Sequence, residues 1–342
     1  MNVFVNTEIK KLKLFLSVPR NVAIVTHVNP DGDALASALA LGLILKKAGH
    51  QTMVISPNEY PDFLAWLPGN VDVVRYSRKK KKVINWLDVA EIMFCLDLNE
   101  ARRTGDMEKQ IRRFGKTIVM IDHHPNPEDF ANIIISDTSV SSTAELLFQF
   151  IDRMGYGSLV DNEVAQCLLC GIITDTGIFY HNSSNPATYL AMARLLETGV
   201  DKDMIIRNVY HNFSWPRMKM LGYCLYEKMV VFPEKHTAYI SLSAQELNDF
   251  NYEDGDLEGV VNYPLSIKGI YFSAIFIEKS DHVKVSFRSA GKFSVNDFAR
   301  QHFNGGGHIN ASGGKTPLPL SGALQYFEQL LPQYEKQLEQ SL

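Results

Sequence analysis

The sequence predicts an α/β fold in which a doubly wound, mainly parallel sheet is joined by a helical linker to a smaller domain of mixed α/β type. Apolar strand-like runs alternate with helical segments as far as about Ile135, as in parallel sheets with helices on both faces. Strand-like runs return at close spacing after about Val230, and 342 residues are enough for two domains that each bury a core. We therefore expect a first domain over residues 1–185, a linker over 186–229 and a second domain over 230–342.

The elements of the first domain follow from local patterns. A helical apolar pattern over residues 7–18 precedes a buried strand at 22–26. The turn sequence Asn29-Pro30-Asp31-Gly32 comes next, with Gly32 giving the backbone freedom to aim both neighbouring carboxylates inward, and Asp33 is expected to cap a helix over 34–47. Further strands are predicted at 51–55, 71–74, 91–96 and 118–121, and further helices at 142–154 and 162–173.

The linker and the second domain show the same kinds of pattern. Helical patterns without strand signals cover residues 186–197 and 202–210, and a third over 215–228 extends the linker. Strands are predicted at 237–242, 269–278 and 282–287, and a C-terminal helix begins near Gly322.

Composition and charge are those of an ordinary globular protein. The hydrophobic fraction is 46%, the charged fraction is 21% and the formal charge is −4, so the chain as a whole does not attract nucleic acid and any polyanion site is local. No apolar run approaches the ~20 residues that span a bilayer. The first 20 residues lack a secretory signal pattern, so we expect a cytoplasmic protein without membrane contact.

Two features have an ordinary structural interpretation. The cysteines lie mainly in apolar segments, and Cys167 and Cys170 form a CxxC without the second pair that a zinc site needs, so we favour buried small hydrophobic residues over redox or zinc chemistry. The basic run Arg78-Lys79-Lys80-Lys81-Lys82 is predicted to be a solvated loop rather than a nucleic-acid contact.

Acidic and imidazole side chains recur at the ends of four apolar segments. The residues concerned are His27, Asp31, Asp33, Asp97, His123, His124 and Asp175. Open α/β sheets place their sites at strand ends, and Asp and His bind divalent cations. Leaving His124 aside, the other six ligands are too many for one small cation but suit two cations about 3.5–4 Å apart that share a carboxylate, an arrangement that acidifies a bridging water and binds a phosphoryl group. The mixed His/carboxylate set favours Mn²⁺, with Zn²⁺, Fe²⁺ or Co²⁺ as alternatives, and the spacing leaves open which carboxylate bridges.

We expect the adjacent residues His123 and His124 to have different roles. Adjacent residues of an extended backbone point in opposite directions, so we expect only one of the two imidazoles to reach the metals easily. The other can face the substrate, where it stabilises phosphate charge or assists the leaving oxygen.

A second group of residues lies near the C-terminus. The run Gly305-Gly306-Gly307-His308 lets successive backbone N–H groups converge on an anion, and a flexible hinge is the alternative. Arg288 can bind a phosphate through two hydrogen bonds or can be an ordinary surface ion-pair partner. The neighbouring Phe287, Phe293 and Phe303 are predicted to be core residues rather than base-stacking platforms.

Taken together, these motifs resemble those of the DHH phosphoesterase superfamily, in the subfamily with a DHHA1 second domain. The matching motifs are His27-x-Asn29-Pro30-Asp31-Gly32-Asp33, Asp97, Asp122-His123-His124, Gly171-Ile172-Ile173-Thr174-Asp175-Thr176-Gly177 and Gly305-Gly306-Gly307-His308. Length and domain plan are similar to those of the nanoRNase/pAp phosphatase proteins. The resemblance implies a metal-binding catalytic DHH domain over 1–185 and a substrate-binding DHHA1 domain over 230–342.

The resemblance also implies roles for individual residues. One metal is held by His27, Asp31 and Asp97. The second is held by Asp33, Asp97, His123 and Asp175, with Asp97 bridging. His124 faces the scissile phosphate, and Arg288 with the Gly305–His308 loop holds the rest of the nucleotide.

The expected activity is hydrolysis of very short RNA to mononucleotides and of 3′-phosphoadenosine 5′-phosphate (pAp) to AMP, with two divalent cations, Mn²⁺ foremost. The sequence leaves open a phosphodiesterase acting on linear or cyclic dinucleotides. From a different class, it leaves open a nucleotide-binding regulator without turnover. A homodimer is compatible with the sequence, which does not decide the oligomeric state.

Overall fold

The part of the chain up to Asn212 is built around a six-stranded parallel sheet, in a computed structural model that describes residues 5–253 and 255–341. Its strands are β1 (Asn21–Val25), β2 (Gln51–Ser56), β3 (Val74–Arg75), β4 (Ile92–Leu96), β5 (Thr117–Asp122) and β6 (Ile133–Ser136). They lie in the order β3-β2-β1-β4-β5-β6, and each neighbouring pair is parallel. The predicted doubly wound, mainly parallel sheet is confirmed.

Helices cover both faces of this sheet. They are α1 (Asn6–Phe15), α2 (Gly32–Lys47), α3 (Tyr76–Val89), α4 (Glu108–Arg112), α5 (Thr143–Met154), α6 (Asn162–Asp175), α7 (Pro186–Leu196) and α8 (Lys202–Tyr210). Strand β1 shows why the sequence requires two layers: Val22 and Ile24 join one apolar core, while Ala23 and Val25 join the other. A strand buried on both faces reads as a continuous apolar run rather than an alternating one.

Two local predictions in this unit are wrong. The strand predicted at 71–74 is reduced to β3, because a short 3-10 helix occupies Asn70–Asp72. The basic run at 78–82 is part of α3 rather than a loop, although Lys79 interrupts the helical backbone. Tyr76, Val83 and Leu87 bury the inner side of this helix, so the lysines occupy its solvated side.

The second unit begins at Phe213 and contains a mixed sheet in the order β11-β12-β10-β9-β8-β7. Its elements are α9 (Trp215–Tyr226), β7 (Met229–Phe232), β8 (Thr237–Leu242), α10 (Ala244–Asp249), β9 (Phe272–Glu278), β10 (Val283–Ser289), α11 (Val295–His302), β11 (Gly306–Gly307), β12 (Ala311–Thr316) and α12 (Leu320–Glu339). Strands β8 and β9 are parallel and the other neighbours are antiparallel. The predicted α/β class of this part of the chain is confirmed.

The residues between 186 and 229 are divided between the two units. Helices α7 and α8 bury Leu195, Ile205 and Val209 in the core of the first unit. Helix α9 buries Met220 and Cys224 in the second.

Several side chains of ambiguous role belong to the cores. Phe287, Phe293 and Phe303 lie in one aromatic cluster of the second unit, so their predicted core role is confirmed. Cys95, Cys167, Cys170 and Cys224 are buried free thiols, as predicted. Within the described residues, none of the helices combines the length and the apolar character that crossing a membrane requires.

Candidate metal centre

The acidic and imidazole residues of the first unit meet at the carboxyl end of its sheet. Asp97 directly follows β4, His27 lies two residues beyond β1, and Asp122 is the last residue of β5. Strands β1 and β4 are neighbours in the sheet, although β2 and β3 lie between them in sequence. This is the point where the strand order reverses, and open α/β sheets bind ligands in the crevice at that point.

Asp97 is at the centre of the group. Its side chain is buried, and its Oδ2 lies 3.3 Å from His27 Nε2. Its Oδ1 lies 3.7 Å from His123 Nε2 and 3.4 Å from His124 Nδ1, and it accepts a hydrogen bond from Thr143 Oγ1 at 2.8 Å. One carboxylate therefore contacts three imidazoles that come from two strand ends.

His27, Asp31 and Asp97 form a first potential metal site, with one ligand atom from each residue within 4.8 Å of the others. His27 Nδ1 lies 2.8 Å from the carbonyl oxygen of Val28 and donates its proton there. Nε2 then carries a lone pair, and this buried atom has no hydrogen-bond partner although a carboxylate oxygen faces it. A cation between these two acceptors would satisfy both, so the residues fit a metal ion.

Asp33, His123 and Asp175 form a second potential metal site by the same distance criterion. His123 Nε2 is 3.4 Å from Asp175 Oδ2 and 3.7 Å from Asp97 Oδ1. Asp97 thus borders both groups. The structure brings together every residue that the sequence assigned to metal binding.

The amino-terminal end of α5 orients two of these carboxylates. The backbone N–H groups of Thr143 and Ala144 donate to Asp33 at 2.7 and 2.9 Å, while the Thr143 hydroxyl donates to Asp97. Helix amino termini carry partial positive charge and bind anions. Sequence reasoning missed this contribution, because the first N–H groups of a helix are donors whatever the residue type.

Charge repulsion in the group is strong. Burial raises the pKa of Asp33 well above its usual value, and the neighbouring charges of Asp97 and Asp175 act in the same direction. Burial also acts to raise the pKa of Asp97, but the imidazoles of His124, His27 and His123 outweigh it and hold that pKa well below its usual value. Three carboxylates packed together in this way need compensating positive charge, which bound cations supply.

His124 is held by Asp122, a residue to which the sequence assigned no role of its own. Asp122 is completely buried; its Oδ1 lies 2.9 Å from His124 Nδ1, and its Oδ2 accepts from the His124 backbone N–H at 2.9 Å. That only one of the two adjacent imidazoles easily reaches the metals stays a prediction. Strand β5 ends at Asp122, and both imidazoles that follow it lie near Asp97.

Two details of the first turn also differ from prediction. Asp31, not Asp33, caps α2, because its Oδ1 accepts from the N–H of Ala34 at 3.0 Å.

Gly32 serves helix packing rather than turn freedom, since a Cβ at this position would lie 2.5 Å from the side chain of Thr174 in α6. Likewise, a Cβ at Gly171 of α6 would lie 2.7 Å from Asp33 Oδ1. These glycines allow α2 and α6 to approach closely, so that Asp33 and Asp175 can meet.

The predicted substrate residues lie in the second unit. Arg288 is part of β10, where its side chain is half-buried and one guanidinium nitrogen donates to the carbonyl oxygen of Phe287 at 2.9 Å. Gly306 and Gly307 form β11, which pairs with β12, and His308 follows it half-buried.

The backbone of this glycine-rich loop does not form the predicted anion cradle. Its N–H groups donate within the unit: Gly305 to the carbonyl of Ala299 at 3.1 Å, Gly307 to Asn296 Oδ1 at 2.9 Å and His308 to the carbonyl of Ala311 at 2.7 Å. These three N–H groups are therefore not available to an anion.

Known proteins match both units. Residues 21–172 match the model of the DHH family, N-terminal domain, and residues 235–339 match the DHHA1 domain. The chain is 28% identical over 294 residues to the probable bifunctional oligoribonuclease and PAP phosphatase NrnA of Streptococcus mutans, covering 85% of this chain and 88% of that protein. It is 29% identical over 311 residues to the bifunctional oligoribonuclease and PAP phosphatase NrnA of Thermus thermophilus, covering 89% and 88%.

A solved structure agrees over the whole length. The crystal structure of an exopolyphosphatase-related protein from Bacteroides fragilis superimposes with a TM-score of 0.95 at 41% identity and covers 99% of each chain. The chain therefore belongs to the DHH family, with an N-terminal DHH domain followed by a DHHA1 domain.

Proposed function

We propose that the chain is a divalent-metal-dependent phosphoesterase that hydrolyses very short RNA to mononucleotides and pAp to AMP. The two NrnA relatives are named for these two activities, and they align with nearly the whole chain. The observation that carries the proposal is the position of Asp97, whose carboxylate borders two potential metal sites. Enzymes that cleave phosphate esters commonly hold two cations in this way.

The residues divide between two proposed metal positions. His27, Asp31 and Asp97 would hold one cation, and Asp33, Asp97, His123 and Asp175 the other, with Asp97 common to both. Imidazole nitrogens beside carboxylates favour Mn²⁺ over Mg²⁺, which prefers oxygen ligands. When bound, the two cations would supply an acidified water as nucleophile and offset charge on the phosphoryl oxygens.

His124 would act on the leaving group. With Nδ1–H donated to Asp122, the imidazole is fixed in one tautomer and orientation. Protonated at Nε2, it can give that proton to the leaving oxygen. The pair Asp122–His124 therefore supplies the acid in this mechanism, while Asp97 stays ionised because the imidazoles lower its pKa.

Substrate binding would come from the second unit. We assign Arg288 and the loop Gly305–His308 to binding the nucleotide. Because the N–H groups of Gly305, Gly307 and His308 donate internally, we assign this role mainly to the side chains of Arg288 and His308.

A panel of substrates tests the proposal. The full chain is incubated with Mn²⁺ and, separately, with pAp, linear and cyclic dinucleotides, a five-residue RNA, pyrophosphate and polyphosphate. We expect turnover of the short RNA and of pAp. A preference for cyclic dinucleotides or polyphosphate would replace the proposed substrates, and metal binding without turnover of any member would indicate a regulator.

A further inference from the structure

The middle glycine of the loop is not explained by local structure. A Cβ at Gly305 would lie 1.9 Å from the carbonyl oxygen of Gly313, and Gly307 has a φ of 151° with Ala311 O only 2.6 Å from its would-be Cβ. Both positions therefore require glycine. Gly306 has no such constraint, since a Cβ there would find nothing nearer than 3.6 Å.

A side chain at position 306 would lie against two polar residues of α11, Asn296 and Arg300. The atoms nearest to its would-be Cβ are Asn296 Oδ1 at 3.6 Å and the Nε and one terminal nitrogen of Arg300, both at 3.7 Å. Glycine at this position places no side chain against the guanidinium. Glycine is typical of positions where a ligand approaches the backbone closely.

Asn296 connects the loop to the arginine. Its side chain is buried, and the single oxygen Oδ1 accepts from Gly307 N–H at 2.9 Å and from Arg300 Nε at 3.2 Å. The same atom thereby fixes the loop backbone and the direction of the guanidinium, while the Arg300 residue as a whole is exposed. A planar guanidinium oriented through Nε presents its terminal nitrogens in the geometry that suits a phosphate.

We propose that Arg300, positioned by Asn296, binds the phosphate of the substrate that is not hydrolysed, with Gly306 leaving room for that group. This inference rests on the proposed function and specifies one part of it. In pAp and in short RNA carrying a 5′-phosphate, the group concerned is the 5′-phosphate. The N–H groups of Gly305, Gly307 and His308 do not compete for it, because they donate elsewhere.

Substrate pairs that differ only in the 5′-phosphate provide the test. We compare pAp with adenosine 3′-monophosphate, and the dinucleotide pApA with ApA, using the full chain with Mn²⁺. For the 5′-phosphorylated member of each pair, Arg300→Ala is expected to raise KM about tenfold or more with little change in kcat. KM for the unphosphorylated member stays as in the wild type. Lys336→Ala, which removes the same charge from an exposed site on α12, is the control and should change neither.

Two further variants separate binding from folding. Gly306→Ala is expected to melt at the wild-type temperature, because the methyl group fits, and yet to raise KM for the phosphorylated members. Asn296→Ala should weaken the preference for a 5′-phosphate in the wild type but add nothing in the Arg300→Ala background, as expected of a residue that acts through another.

Two kinetic outcomes would overturn the assignment of Arg300. If Arg300→Ala changes both members of a pair equally, or neither, or if Gly306→Ala leaves every KM unchanged, the inference is overturned. Calorimetric binding of pAp and adenosine 3′-monophosphate in EDTA tests Arg300 without catalysis. Loss of the 5′-phosphate preference in binding would support the inference even if the wild type hydrolysed neither compound, an outcome that would reject only the proposed function.

Discussion

Asp97 adopts a left-handed backbone conformation, with φ of 55°, which residues other than glycine seldom adopt. Its N–H donates to the carbonyl of Ile121 at 3.1 Å while its carboxylate contacts three imidazoles. Strain of this kind costs about 1–3 kcal/mol and is concentrated at functional sites, where the surroundings enforce it. The backbone and the side chain of Asp97 are thus both constrained by the neighbouring strand β5.

At the same scale, Asp122 is predicted to control the tautomer of His124. The asparagine side chain of Asp122→Asn has only one acceptor oxygen, so it can accept from the backbone N–H or from Nδ1–H of His124 but places an NH₂ group at the other. The imidazole therefore loses its fixed orientation. We expect kcat to fall on the order of 10²-fold or more while Mn²⁺ content is unchanged. Steady-state kinetics and metal analysis measure the two effects.

The matched control is Asp137→Asn, which changes a carboxylate just beyond the end of β6, where it accepts hydrogen bonds from Ser139. It should leave kcat near the wild-type value. Loss of bound Mn²⁺ from Asp122→Asn would contradict the assignment and make Asp122 a metal ligand.

At the scale of elements, the site depends on the close approach of α2, α5 and α6. Gly171→Ala places a methyl group 2.6 Å from the Ala144 Cβ and 2.7 Å from Asp33 Oδ1, so the helices must separate. We expect a loss of about 1–3 kcal/mol in the free energy of unfolding and weaker binding of Mn²⁺. Denaturant unfolding and metal titration would show both. Gly115→Ala, where nothing lies within 4 Å, is the control, and an equal effect there would argue against helix packing as the cause.

A second prediction at this scale concerns Glu246, which connects α9 and α10. Its carboxylate accepts from Tyr223 Oη at 2.6 Å, from Lys228 Nζ at 2.8 Å and from the Ser243 N–H and hydroxyl at 2.8 and 2.9 Å. Burial acts to raise the pKa of Glu246, but these four donors outweigh it and lower the pKa to about 2. Glu246 therefore contributes stability that is complete above its unfolded pKa, near 4.5, and is lost as pH falls toward 2.

Glu246→Gln is accordingly expected to cost about 2–3 kcal/mol of unfolding free energy at pH 7, and the difference from the wild type should shrink steadily below about pH 4.5. Chemical denaturation at several pH values measures it. A difference that stays constant from pH 7 to pH 3 would show that the ionised carboxylate is not responsible. Glu335→Gln, a half-buried acidic residue of α12, provides the comparison.

At the scale of the whole molecule, the sequence was sufficient to predict the class of both units and the clustering of the acidic and imidazole residues. His27, Asp97 and His123 follow buried strands, and parallel strands bring their carboxyl ends to one edge of the sheet. The meeting of these side chains could therefore be predicted from the sequence. Position along the chain could not show how the group is oriented. The N–H groups of Thr143 and Ala144 carry no signal in residue type, and the contact of Asn296 with Gly307 joins residues whose sequence separation suggests nothing.

The errors have a common physical cause. The lysines of the basic run in α3 favour a loop, although Tyr76, Val83 and Leu87 have helical spacing. The glycine run at 305–307 predicts N–H groups that converge on an anion, whereas close packing against β12 requires glycine at 305 and 307. In both cases tertiary packing decided what local composition left open.

Counting bound metal tests most directly whether Asp97 is shared by two cation sites. Equilibrium dialysis against Mn²⁺, with electron paramagnetic resonance of the loaded protein, should give two ions per chain and a signal from a spin-coupled pair. Asp97→Asn should lose both the coupling and tight binding at both positions, while the exposed Asp88→Asn retains them. A single ion in the wild type, or two tightly bound ions in Asp97→Asn, would show that Asp97 is not shared by two cation sites.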